Sequence, residues 1–104
     1  MAKGKLVRDK IPEIIESKGK KPITYVALKK EFEERLAEKL VEEALEFRES
    51  GKSEELADIL EVIRAICGAY GFRLTEVEKL REKKLQERGG FSKRYVLEGV
   101  SGHN

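Results

Sequence analysis

The chain has 104 residues, 40% of them Asp, Glu, Lys or Arg, and its 22 basic and 20 acidic side chains leave a net charge of +2. This is enough chain for one small domain with a modest core, and so even a balance argues against general binding to nucleic acid or an anionic membrane. A single cysteine, Cys67, and a single histidine, His103, exclude an internal disulfide, a cysteine metal cage and a histidine-based metal or catalytic site within one chain.

Asp9 is placed to cap a first helix over Lys10–Ser17, with Pro12 tolerated in its first turn. Gly19-Lys20-Lys21-Pro22 ends it. Ile23-Thr24-Tyr25-Val26 is β-prone and short, an extended connection or a small strand. From Leu28 to Arg48 a long helix is expected, because Phe32, Leu36, Leu40 and Phe47 recur at helical spacing with no Gly or Pro between them. Ser50-Gly51-Lys52-Ser53 reads as a turn, and Ser53 is a good N-cap with Glu54 and Glu55 favourable in the turn that follows. Leu56, Ile59, Leu60, Ile63, Ile66, Cys67 and Tyr70 define the next helix, which Gly71 closes. Thr75 caps a further helix to Glu87, carrying Val77, Leu80 and Leu85, and Arg88-Gly89-Gly90-Phe91 breaks it. Lys93–Leu97 is a candidate terminal strand, able to pair with Ile23–Val26. The expected fold is mainly α: a bundle built on an antiparallel hairpin of two long helices, with a minor short-strand pair, completed by oligomerisation because one hairpin buries little.

Glu43-Ala44-Leu45-Glu46 and Glu55-Leu56-Ala57-Asp58 each carry carboxylates three residues apart, on one face of a helix. Such spacing is common in a chain this charged, and taken alone it describes a solvated face. The central pairs differ in where they fall. Glu43 lies seven residues after Leu36 and three after Leu40, continuing the apolar stripe, and Glu46 is one turn further along. Glu55 and Asp58 precede Val62 by seven and four. An antiparallel hairpin would bring Glu43, Glu46, Glu55 and Asp58 to one patch, where mutual repulsion calls for a cation. Oxygen-only ligands suit Mg²⁺ or Mn²⁺. Glu42 reads as a surface partner of Lys39; Glu61 is open between that role, with Arg64, and an outer ligand. Charge is also segregated: Lys3 to Lys21 is mostly basic, Lys29 to Glu61 mostly acidic, and Lys79 to Arg94 basic again.

At these residues the sequence resembles the all-α nucleoside triphosphate pyrophosphohydrolases, which include MazG-like proteins, dimeric dUTPases and phosphoribosyl-ATP pyrophosphohydrolase. Their signature is ExxE followed by ExxD on adjacent helices. Lys5-Leu6-Val7-Arg8-Asp9-Lys10-Ile11-Pro12-Glu13-Ile14-Ile15 and Arg88-Gly89-Gly90-Phe91-Ser92-Lys93-Arg94 resemble the ends of a compact, MazG-related house-cleaning subgroup. The resemblance implies a homodimer or higher homo-oligomer with Mg²⁺ held by Glu43, Glu46, Glu55 and Asp58. It implies cleavage of a nucleoside triphosphate to monophosphate and pyrophosphate, with one of these glutamates, Glu43 or Glu46 first, or Glu42, acting on the attacking water. Arg8, Lys10, Lys39, Arg88 and Arg94 are the first choices for holding the triphosphate. Phosphoribosyl-ATP is an alternative substrate, and a non-catalytic helical oligomerisation or regulatory module is the alternative from another class.

The short apolar runs exclude a transmembrane span or signal-peptide core, so a cytoplasmic location is expected. Heavy Lys and Glu use, with Gln86 and Asn104 the only side-chain amides, resembles thermophile composition.

Overall fold

The computed structural model describes residues 4–102. Four helices follow one another: α1 (Ile11–Ser17), α2 (Lys29–Ser50), α3 (Ser53–Tyr70) and α4 (Leu74–Arg88). Contacts divide the chain into two compact units, one ending at Arg73 and the other beginning at Leu74. The first contains α1, α2 and α3; the second contains α4 and the segment after it.

The helix ends have local causes. α2 starts from an extended Leu28 and stops at Gly51, whose φ of 66° is left-handed and whose N–H bonds to the Phe47 carbonyl at 2.7 Å. Glycine takes that conformation without a Cβ penalty. Gly71 does the same for α3 at φ 75°, its N–H bonding to the Cys67 carbonyl, which also accepts from the Phe72 N–H at 2.9 Å. Only Gly51 and Lys52 separate α2 from α3, and the two helices pack against each other. Ser50 Oγ braces the link: it accepts from the Lys52 N–H at 3.2 Å and donates to Glu55 Oε1 at 3.3 Å.

Several local expectations are corrected. Lys10, without a side-chain bond, occupies the cap position of α1 in place of Asp9. Ser53 is the first residue of α3, preceded by an extended Lys52, so its hydroxyl is not the cap. α4 begins at Leu74, which puts Thr75 inside it. Neither Ile23–Val26 nor Lys93–Leu97 is a strand, and there is no strand among the described residues. Ile23 and Val26 are 97% and 94% exposed. A short strand pair with no apolar face packed beneath it is marginal in water. Tyr25 instead donates its hydroxyl to Glu31 on α2.

The core of the first unit is small: Leu36 on α2 with Val62 and Cys67 on α3. Glu43 is buried among the same helices. α3 is apolar on more than one side, and Leu56 and Leu60, expected inside, are exposed. Residues before α1 lie against the pair of long helices: the Gly4 carbonyl accepts from Arg35 Nη1 at 3.0 Å, and Leu6 is half-buried, as is Ile11 at the start of α1. No helix among the described residues is long and apolar enough to cross a membrane.

With so few buried side chains, each one matters. Leu36→Ala is expected to lower unfolding stability by about 2–5 kcal/mol, the usual cost of a buried Leu truncation. Urea titration followed by helical circular dichroism checks this, and a midpoint unchanged from the parent chain would show that Leu36 is not a packing anchor.

Candidate metal centre

The link at Gly51-Lys52 brings the end of α2 beside the start of α3, and that is where the acids meet. Carboxylate oxygens of Glu43, Glu55 and Asp58 lie within 4.8 Å of one another, and so do those of Glu42, Glu43 and Glu46. Glu43 belongs to both triads. Of the four expected acids, Glu55 and Asp58 group with Glu43 in one triad, and Glu46 groups with Glu43 and Glu42 in the other. At an effective dielectric of about 20, two full negative charges at such a distance repel by about 3–4 kcal/mol, and by less where one faces water, as Glu46 does.

Glu43 takes the largest share of this repulsion because it is 6% exposed. Its Oε1 faces Lys39 Nζ at 3.6 Å, whereas its Oε2 is buried with no hydrogen-bond donor. Burial, then the negative charges of Glu46 and Asp58, hold its carboxyl above the ordinary range, and Lys39 only partly offsets them. Glu42 moves the other way. Burial pushes it up, but the bond from Lys5 and the charges of Lys39 and Lys5 outweigh this and lower it. Lys5 Nζ donates to Glu42 Oε1 at 3.1 Å and is itself raised by that bond. Glu42 also pairs with Lys39 at 3.5 Å, as expected from the sequence.

Beside the acids is an open cavity of about 720 Å³. Glu43, Asp58 and Glu61 form its acidic wall, Phe32, Leu36, Val62 and Ala65 an apolar one, and Leu6 to Ile11 close another side. Three of the five expected phosphate-binding cations, Arg8, Lys10 and Lys39, line it. Arg8 donates from Nη2 to Asp58 Oδ1 at 2.7 Å. The other two, Arg88 and Arg94, belong to the second unit: Arg88 ends α4, and Arg94 has a left-handed φ of 59° in a turn where its N–H bonds to the Phe91 carbonyl at 3.1 Å.

Lys5 was not singled out in the sequence as a site residue. Its pair with Glu42 spans 37 positions, and the Arg8–Asp58 pair spans 50. No periodicity reports contacts at such separations; what the sequence offered was the basic character of the first twenty residues and the Lys5–Ile15 stretch that carries the resemblance.

The donor set suits a hard divalent cation: oxygen only, convergent from two helices, and with one buried oxygen that has no proton donor. An acidic cluster by itself says little, but a buried and unpartnered carboxylate oxygen is costly unless something cationic offsets it. No family model, curated protein or solved structure matches the chain.

The raised Glu43 carboxyl has a consequence for stability. Between the ordinary carboxylate value of 4.5 and the raised one, the folded chain holds more protons than the unfolded chain, so stability falls as pH rises through that window. Glu43→Gln is expected to remove this part of the slope and to raise the metal-free melting temperature at neutral pH. Thermal unfolding in chelator at a series of pH values tests it. A variant with the parent slope would place the strain elsewhere.

Proposed function

We propose that this protein is a Mg²⁺-dependent nucleoside triphosphate pyrophosphohydrolase, yielding a nucleoside monophosphate and pyrophosphate. The observation that carries the reading is that Glu43, whose buried Oε2 has no partner, belongs to two carboxylate triads, one with Glu55 and Asp58 and one with Glu42 and Glu46, at the wall of a cation-lined cavity. The cavity volume falls in the range typical of small-molecule sites. The resemblance of ExxE and ExxD to the all-α pyrophosphohydrolases supports the same reaction.

Glu43, Glu46, Glu55 and Asp58 would hold Mg²⁺, or Mn²⁺. A bound divalent cation neutralises phosphate charge and lowers the pKa of coordinated water. Arg8, Lys10 and Lys39 line the cavity where a triphosphate would need them, and the guanidinium of Arg8 can bind phosphate oxygens in pairs. Glu46 is exposed and next to Glu43, a position from which it can orient or deprotonate a water; Glu42, occupied by Lys5 and Lys39, is less free to do so. Attack of that water at the α phosphorus breaks the bond to the bridging oxygen, and pyrophosphate leaves with its electron pair. The water proton passes to the carboxylate.

The exposed apolar residues Val41, Leu45 and Leu60 support assembly into a homodimer or higher homo-oligomer that completes a helical bundle. The same exposure also favours the second reading, a non-catalytic oligomerisation module. A cytoplasmic location and a house-cleaning substrate accord with the first reading, and phosphoribosyl-ATP is the alternative substrate.

Pyrophosphate release from common and modified nucleoside triphosphates and phosphoribosyl-ATP, measured with Mg²⁺ and with EDTA, discriminates them. Turnover is expected with Mg²⁺ only, with the monophosphate formed in equal amount. Glu43→Gln and Asp58→Asn are each expected to reduce it about 100-fold or more while helix content is kept. Full turnover in Asp58→Asn would remove the proposed site. Silence across the panel, with a changed oligomeric state in Glu43→Gln, would favour the non-catalytic module.

A further inference from the structure

The segment from Gly4 to Lys10 has no helix or strand of its own and is held by side chains. Arg35 binds the Gly4 carbonyl, Lys5 binds Glu42, and Arg8 binds Asp58. Leu6, Val7 and Ile11 meanwhile line the cavity. Two of these three polar anchors are therefore cations placed on the carboxylate cluster itself.

The Arg8–Asp58 pair is short but wet. The side chains keep 58% and 39% of their exposure, so water competes with the bond and its net worth is small. The guanidinium supplies at Asp58 part of the positive charge that the cluster lacks. A divalent cation on the same carboxylate would repel it, and Asp58 Oδ1 would serve the cation poorly while donating its lone pair to Arg8. Phosphate is the better partner for the displaced fork, since two parallel N–H bonds to its oxygens are charge-assisted and geometrically matched. A triphosphate in the cavity would offer such oxygens beside Arg8, Lys10 and Lys39.

We infer that Arg8 is an exchangeable counter-ion: it rests on Asp58 when the cluster holds no divalent cation and passes to the substrate phosphates when metal and nucleotide bind, keeping the Leu6–Ile11 segment over the cavity. The inference rests on the reading above that the cluster holds a divalent cation. It gives Arg8 opposite effects on two ligands. It competes with the metal and cooperates with the phosphates.

Binding measurements on the full chain separate these effects without any turnover. Mn²⁺ affinity is read by electron paramagnetic resonance of the free ion, and inorganic tripolyphosphate affinity by calorimetry on Mn²⁺-loaded protein. In Arg8→Ala, Mn²⁺ affinity is expected to rise about three- to tenfold and tripolyphosphate affinity to fall about tenfold or more. Arg8→Lys keeps the charge but loses the fork. It is expected to stay within about twofold of the parent for Mn²⁺ while losing part of the tripolyphosphate affinity. A merely structural role would weaken both ligands together. Equal or weaker Mn²⁺ binding in Arg8→Ala, or unchanged tripolyphosphate binding, overturns the exchange while leaving the metal site standing. No Mn²⁺ binding by the parent chain or either variant overturns the metal reading and this one with it.

Discussion

Glu43 sits where the apolar stripe of α2 meets α3, and its burial is the constraint around which the first unit is organised. A leucine at that position would add to a core that otherwise consists of Leu36, Val62 and Cys67. The chain instead places a carboxylate there and surrounds it with Glu46, Glu55 and Asp58. The result is a local debt of positive charge. Lys39 meets it from the same helix, one turn back, and Lys5 and Arg8 meet it from a segment far away in sequence. None of them reaches Glu43 Oε2, which is left buried without a partner.

The architecture needed to produce this is simple. A 22-residue and an 18-residue helix are joined by two residues, and the left-handed Gly51 permits so short a link. A longer linker would allow the helix ends to separate and the carboxylates to relax into water. The short one denies them that escape. Ser50 reinforces it by bonding both the Lys52 N–H and Glu55, so the same side chain that braces the link also orients one of the acids. Packing and the placement of one acid are thus coupled at one point.

Much of this was legible in the sequence because it is local. The i, i+3 carboxylate pairs, the apolar stripe leading from Leu36 to Glu43 and the glycines at 51 and 71 all act within a few residues, where helical geometry makes spacing informative. Apart from helix caps misplaced by a residue, the misjudged features depend on distant partners or their absence. Ile23–Val26 has the composition of a strand but no neighbour to pair with. Leu56 and Leu60 match the helical period of a buried face, yet α2 covers only one side of α3. Ser53 is a good capping residue one position too late. Lys5 and Arg8 meet the acids across contacts that no pattern in a single sequence encodes.

The site also weakens the fold that carries it. A small core with a buried carboxylate at its edge leaves little margin, since stability is a narrow difference between large opposing terms. A ligand that binds only the folded state restores that margin by mass action. The lysine and arginine counter-ions occupy a middle position in this balance. They offset part of the repulsion within the cluster, but from exposed positions where each pair is weak. Had Asp58 been neutralised by a buried arginine, the hairpin would be firmer, and a divalent cation would face a partner it could not displace. The half-exposed pair is one that water can compete for.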